Sequence, residues 1–110
     1  GSHMSEEAKI AIELFKEAMK DPERFKEMCS PDTRIESNGQ EYRGSEECKK
    51  FAEEMKKTHP WEVRVERYRS DGDRFEIELR VNFNGKTFRM EIRMRKVNGE
   101  FRIEEMRLHG

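Results

Sequence analysis

The chain has 110 residues, of which 23 are Lys or Arg and 24 are Asp or Glu, so its formal net charge is −1. Because the two signs nearly cancel, the composition argues against a surface for nucleic acid or for anionic membranes. No apolar segment approaches the ~20 residues that a membrane span needs, and no signal-peptide pattern is present. We therefore expect a soluble protein, cytoplasmic when it is expressed recombinantly.

The length suits one domain with a single hydrophobic core. The opening Gly-Ser-His-Met is typical of the remnant of a cleaved expression tag. We therefore take residues 5–110 as the domain, set residues 1–4 aside as tag, and give His3 no role as a ligand.

Three helices are predicted in the first half of the chain. Apolar residues recur at helical spacing from Ser5 to Lys20, which predicts the first helix. In "DPERFKEMCSPD", Asp21 is a helix cap, Pro22 suits the first helical position, and Pro31 stops a short second helix. Ser45 is predicted to cap a third helix, which runs to about residue 58.

Strands are predicted in the remaining segments. Between the second and third helices, "TRIESNGQEYRG" predicts a small hairpin with Asn38-Gly39 as its two-residue turn. After the third helix, turns rich in Asn, Asp and Gly separate four long segments that we expect to form an antiparallel meander. These segments are Trp61–Arg69, Arg74–Phe83, Lys86–Val97 and Glu100–Leu108.

The alternation of apolar and polar residues slips by one position in three of the four long strands. In the last strand, Ile103 is followed by two glutamates before the apolar pattern resumes at Met106. Two interpretations compete: a catalytic carboxylate pair, or one extra residue that bends the sheet. The residues at the three slips carry charges of mixed sign. An extra residue that bends the sheet can carry either charge, whereas a catalytic carboxylate pair does not explain the basic residues, so we predict β-bulges. They lie at Glu66 and Arg67, Arg95 and Lys96, and Glu104 and Glu105.

The order of helices, hairpin and bulged strands resembles the cone-shaped fold of the nuclear transport factor 2-like superfamily, which includes ketosteroid isomerases and scytalone dehydratases. The resemblance spans Ser5 to Leu108, and its more specific segments are "DPERFKEMCSPDTRIE" and "YRGSEECKKF". It implies an α+β fold in which three N-terminal helices, with the small hairpin between the second and third, pack on a strongly curved, bulged antiparallel sheet.

The resemblance also implies that an enzyme of this fold would place its carboxylates, histidines or tyrosines inside the cone. This chain departs from that pattern, because no inward strand position carries a residue that titrates. The inward residues are Trp61, Val63, Val65, Phe75, Ile77, Leu79, Val81, Phe83, Phe88, Met90, Ile92, Met94, Phe101, Ile103, Met106 and Leu108. We therefore carry over no catalytic residue, and we predict no enzyme activity, no cofactor and no metal site.

The style of the sequence supports a further inference about origin. Exposed positions are filled by Glu, Lys and Arg, and every hairpin turn uses Asn-Gly or Asp-Gly chemistry. Such agreement between local propensity, pattern and turns, without the violation that a functional site leaves, is typical of a computationally designed protein. We infer a designed scaffold with no natural biochemical function. The alternative is a binder of an apolar small molecule in the cone, and an isomerase or dehydratase is less favoured.

An apolar pocket at the wide end of the cone is the hypothesis behind that alternative. Methionine fills irregular gaps and leaves interiors easy to remodel, although a fully packed core explains the same residues. The residues that would line such a pocket are Met90, Met94, Met106, Tyr42, Tyr68 and Trp61.

Cysteine and histidine residues give the remaining candidates. Cys29, at the end of the second helix, and Cys48, in the first turn of the third, could meet, either as a disulfide or as two buried thiols. His59 lies in a connection and His109 at the end of the chain, and we give neither a role. The mixed charges on the outward sheet face, which lacks exposed aromatic residues, predict a monomer without a nucleic-acid or other partner.

Overall fold

The computed structural model describes residues 4–110 and contains three helices and one six-stranded sheet. The assignment of His3, and of the tag remnant apart from Met4, lies outside the described residues. The helices are α1 (Glu6–Met19), α2 (Pro22–Glu27) and α3 (Gly44–Lys57). The strands are β1 (Cys29–Ser37), β2 (Gln40–Arg43), β3 (Glu62–Asp71), β4 (Arg74–Phe83), β5 (Lys86–Val97) and β6 (Glu100–His109).

The helix starts follow from capping residues, with one exception. The Ser5 side chain accepts a hydrogen bond from a backbone N–H of the first turn of α1, and Asp21 does the same for α2. The prediction that Ser45 caps α3 is wrong, because the cap position belongs to Arg43. There the Glu47 carboxylate reaches back and accepts the Arg43 backbone N–H at 2.7 Å, which gives the N–H of the cap residue a partner.

The sheet has the strand order β2-β1-β6-β5-β4-β3. Strands β3 to β6 form the predicted antiparallel meander, and β1 and β2 form the predicted hairpin. The hairpin is part of the same sheet, because β1 begins at Cys29 and runs parallel to β6. The sheet is therefore mixed and not wholly antiparallel, while the α+β class and the order of elements are as predicted.

A bulge interrupts β3 at the first of the predicted positions. Val65 lies opposite Leu79, and Arg67 lies opposite Glu78, so Glu66 is the extra residue. The register is regular on both sides of this point. Such an insertion bends the strand and increases its twist.

A second bulge lies in β6 and answers the question of the two adjacent glutamates. Arg93 faces Glu105, while the next residue of β5, Met94, faces Ile103, so Glu104 has no partner in the register. The extra residue allows both glutamates to point outward while the apolar residues on either side of them stay inward. The pair is therefore part of the sheet geometry.

The third predicted bulge, at Arg95 and Lys96, is absent, and that prediction is wrong. The pairing of β5 with β6 is continuous there, so Lys96 takes the inward position and Val97 faces outward, 42% exposed. The Lys96 ammonium lies 5.5 Å from the centre of the Phe101 ring and 3.6 Å from a carboxylate oxygen of Glu7. A lysine occupies this position because its stem lies along apolar surface while its charge reaches an acidic partner.

Candidate functional site

The inward face of the sheet is where the resemblance would place reactive groups. Here it is filled by apolar side chains except at Lys96, so the expectation that no inward strand position carries an ionisable residue is wrong at that one end, and Met94, Ile103 and Met106 have no exposed surface. Among residues 4–110, Thr33 is the one polar side chain in the buried class, and every carboxylate there is at least partly exposed. A carboxyl group kept from water, which is the usual means of raising a catalytic pKa, is therefore not part of the described interior.

Three of the six predicted pocket residues lie inside this core. Met90, Met94 and Met106 are at most 1% exposed, and none of them lines any of the five best-formed surface depressions on the described residues. Their flexible side chains fill the space between the sheet and the helices. The structure places them in packed interior and not on a pocket wall.

The other three predicted pocket residues are half-buried at separate places on the rim. The indole N–H of Trp61 points to a main-chain carbonyl in α3 at 3.5 Å. The Tyr42 ring packs edge-on against Phe51, with 5.5 Å between ring centres. The Tyr68 hydroxyl accepts the backbone N–H of Ser5 at 3.0 Å and so holds the chain at the start of α1. The six residues do not line a common cavity.

The carboxylates at the bulges make surface ion pairs. Glu105 accepts hydrogen bonds from Arg93 at 2.7 Å and from Arg107 at 3.0 Å, and Glu104 is exposed. Glu66 lies 2.8 Å from the Arg80 guanidinium. These contacts join neighbouring strands on the outward face, as cross-strand pairs do.

The two cysteines lie together in the core as free thiols. Cys29 is 6% exposed and Cys48 is fully buried. The Cys29 S–H donates to the Cys48 sulfur, which lowers the pKa of Cys48; the same bond, together with burial, raises the pKa of Cys29. The disulfide is thus not formed in this structure, although the two thiols are neighbours in the core.

Two ion pairs connect α2 to the first two turns of α3. The Lys26 ammonium lies 2.5 Å from Glu46 and lowers the pKa of that carboxyl group. The Glu23 carboxylate lies 2.5 Å from Lys49 and raises the pKa of that ammonium. Both carboxylates are exposed, so these contacts act as surface clamps and not as reactive centres.

Neither described histidine forms an acid–base arrangement with a buried partner. The His59 ring packs edge-on against Trp61 with 4.8 Å between ring centres. His109 lies 3.5 Å from Glu91 on the exposed outer face.

The largest depression was not predicted from the sequence. It is an open groove of about 990 Å³ between α1, α2 and the hairpin that joins β5 to β6. Ile10 and Leu14 of α1 line it and are 50% and 38% exposed, and Cys29 reaches its floor. The signal was present, since Ile10 and Leu14 lie beside the inward stripe of α1, but the sequence does not show which surface they border.

Metal binding and membrane insertion are two further classes of function. Within residues 4–110 no group of three or more His, Cys, Asp or Glu side chains is arranged to hold a metal ion. In the same part of the chain, none of the helices has both the length and the apolar character needed to cross a membrane.

Comparisons with known proteins agree with this architecture. The family model for the SnoaL-like domain matches residues 13–108. The solved structure "Crystal structure of a de novo designed protein with curved beta-sheet" is 94% identical, with 97% of this chain and 100% of that chain covered and a TM-score of 0.87. No curated protein matches the chain.

Two more distant structures share the fold. The protein "Rd1NTF2_04 with long sheet" is 25% identical, with 92% of this chain and 98% of that chain covered and a TM-score of 0.78. A DUF4783 family protein from Bacteroides uniformis is 12% identical, with 88% and 94% covered and a TM-score of 0.73, which shows likeness of fold alone. The chain therefore belongs to the SnoaL-like domain family and is, as its sequence predicts, a de novo designed protein with the nuclear transport factor 2-like fold.

Proposed function

We propose that this chain acts as a scaffold that holds a curved sheet, and that it is not an enzyme. The observation that carries the proposal is the apolar filling of the inward sheet face, where Met94, Ile103 and Met106 have no exposed surface. The likeness to a designed curved-sheet protein supports it. The chain has no natural biochemical function, and what it provides is a folded, curved sheet.

The chemistry of acid–base catalysis also supports the proposal. An isomerase or dehydratase needs a carboxyl group or histidine within hydrogen-bond reach of a substrate that is held away from water. Glu104 is exposed, and Glu105 is engaged by two arginines on the outer face. A substrate would have to displace the core to reach an inward position.

A monomeric state without partners is part of the proposal. Acidic and basic side chains alternate on the outward face and pair there, as in Arg89 with Glu78 at 3.2 Å and Arg93 with Glu105 at 2.7 Å. Paired charges of both signs give neither the apolar core of a stable interface nor a basic stripe for nucleic acid. Light scattering should return the mass of one chain, and twice that mass would refute the monomer.

Enzyme activity is tested with a β,γ-unsaturated ketosteroid, whose conversion to the conjugated isomer is followed by ultraviolet absorbance. The parent chain and the double variant Glu104→Gln, Glu105→Gln should give the same rate, equal to that of buffer. A parent rate above buffer that falls in the double variant would overturn the proposal.

Ligand binding is tested by thermal denaturation with a panel of small apolar molecules. A filled core gains no stabilisation from them, whereas any ligand that binds only the native state raises Tm. Met94→Ala serves as the positive control, because it creates a cavity where the parent has none. Stabilisation of the parent equal to that of the variant would favour the apolar binder.

A further inference from the structure

The two cysteines are held at adjacent points of elements that are fixed independently of the thiols. Cys29 is the first residue of β1 and pairs with Ile103 of β6. The carbonyl of Met28, next to it in the chain, accepts the Ile103 backbone N–H at 2.7 Å. Cys48 lies near the start of α3 and faces the same core.

Two ion pairs join the segments that carry the two cysteines. Glu46 and Lys49, which flank Cys48 in α3, bind Lys26 and Glu23 of α2, each at 2.5 Å. Helix α2 leads directly into Cys29. The segments that carry the two thiols are therefore held side by side in the fold.

A route from solvent reaches one of the two sulfurs. The groove between α1, α2 and the β5–β6 hairpin is lined by Cys29 and not by Cys48. Cys29 is 6% exposed, whereas Cys48 has no exposed surface. A small reagent in the groove thus meets Cys29 first, with Cys48 directly behind it.

We propose that Cys29 and Cys48 are a modification site, at which a small disulfide oxidant such as oxidised glutathione forms an intramolecular disulfide in the folded chain. The Cys29 thiolate attacks one sulfur of oxidised glutathione, forms a mixed disulfide and expels one glutathione thiolate. Cys48, as thiolate, then attacks the Cys29 sulfur and expels the second. The protein loses both thiol protons to the two leaving thiolates, so the dithiol is oxidised and oxidised glutathione is reduced to two molecules of glutathione.

The two thiols are neighbours, so after the first step Cys48 lies beside the Cys29 sulfur that it attacks. When the pair loses one proton, the charge rests mainly on Cys48, and transfer of the remaining proton from Cys29 to Cys48 gives the Cys29 thiolate, the sulfur that reaches the groove. The bridge would close a loop of under about twenty residues that contains the β1–β2 hairpin, and a loop of this size raises Tm by on the order of 10 °C.

The experiment incubates the reduced, folded chain with oxidised glutathione and then counts thiols in denaturant. The expected result is loss of both thiols, an intact mass lower by the two thiol hydrogens, and a Tm that rises and returns on reduction. Retention of both thiols, a mixed disulfide that does not resolve, a disulfide between two chains, or an unchanged or lower Tm would each overturn the proposal.

Two matched variants test separately which cysteine the reagent reaches and which cysteine closes the disulfide. Cys48→Ala should stop at one glutathione attached to Cys29, with no rise in Tm. Cys29→Ala should stay unmodified while folded, because Cys48 does not reach the groove. If either variant fails to fold, the oxidised and re-reduced forms of the parent chain still provide the comparison. Modification of Cys48 in folded Cys29→Ala would overturn the assigned route.

Discussion

Thr33 offers a sharp test of how the hairpin is attached to the rest of the sheet. It is fully buried, and its hydroxyl donates to the carbonyl of Ile103 in β6 while accepting the backbone N–H of Ser30 at 2.8 Å. These bonds lie where the register of β1 against β6 shifts between Cys29 and Arg34. The hydroxyl thus takes the place of ladder hydrogen bonds that are interrupted there.

The substitution Thr33→Val keeps the shape of the side chain and removes both bonds, together with a longer contact of 3.4 Å between the Thr33 and Ser30 hydroxyls. A buried carbonyl or N–H left without a partner costs about 1–3 kcal/mol. Ser30 is only half-buried, so water offsets part of its loss, and the added methyl group contributes about 0.8 kcal/mol in the other direction. The net expectation is a loss of about 2 kcal/mol in the free energy of unfolding.

Urea denaturation followed by circular dichroism measures this difference. A loss of about 2 kcal/mol lowers the midpoint by roughly 1 M with an unchanged slope. Thr33→Ser is the matched control, since it keeps the hydroxyl and loses one methyl group, for about 1 kcal/mol. If the valine variant is as stable as the parent, or less affected than the serine variant, packing and not hydrogen bonding holds this junction.

Three other substitutions test the core, the surface clamp and the bulge. Met94→Ala removes a side chain with no exposed surface and should cost about 2–5 kcal/mol by urea denaturation; a cost below about 1 kcal/mol would contradict the filled core. Lys26 lowers the pKa of Glu46 below its ordinary value of 4.5, so the stabilisation from this ion pair is present above that pH and is lost as the pH falls. Glu46→Gln should therefore lose less stability than the parent chain on acidification. An unchanged dependence of stability on acid pH would show that this pair does not stabilise the fold. Deletion of Glu104 should cost about 3 kcal/mol or more, whereas Glu104→Lys, which keeps the extra residue, should change stability by no more than about 0.5 kcal/mol; equal effects would refute the geometric role.

Periodicity and turn chemistry predicted most of the fold, because each local preference agrees with the global structure. The bulges at Glu66 and Glu104 could be predicted because charged residues there interrupt an otherwise strict alternation. The error at Lys96 has a physical cause, since a two-letter pattern counts lysine as polar although its stem packs inward beside Phe101.

The parts that could not be predicted depend on which elements meet. The periodicity of β1 indicates a strand but does not name β6 as its parallel neighbour, and the buried role of Thr33 follows only from that pairing. The spacing of Ser30 and Thr33 is the one local signal of this role, because a Thr hydroxyl can accept the backbone N–H of a nearby residue and so form a turn. Likewise the groove and the packed methionines depend on volumes, which a sequence pattern does not contain.

Glu104 is an inserted residue that bends the sheet and keeps both glutamates outside a filled core. Cross-strand nuclear Overhauser effects between β5 and β6 in solution test it most directly. We expect contacts of Met94 with Ile103 and of Arg93 with Glu105, with no contact between the side chains of Glu105 and Ile92. Contacts of Arg93 with Glu104 and of the Glu105 side chain with Ile92 would mean a continuous register, which would turn Glu105 into the interior and contradict the role of Glu104 as an inserted residue.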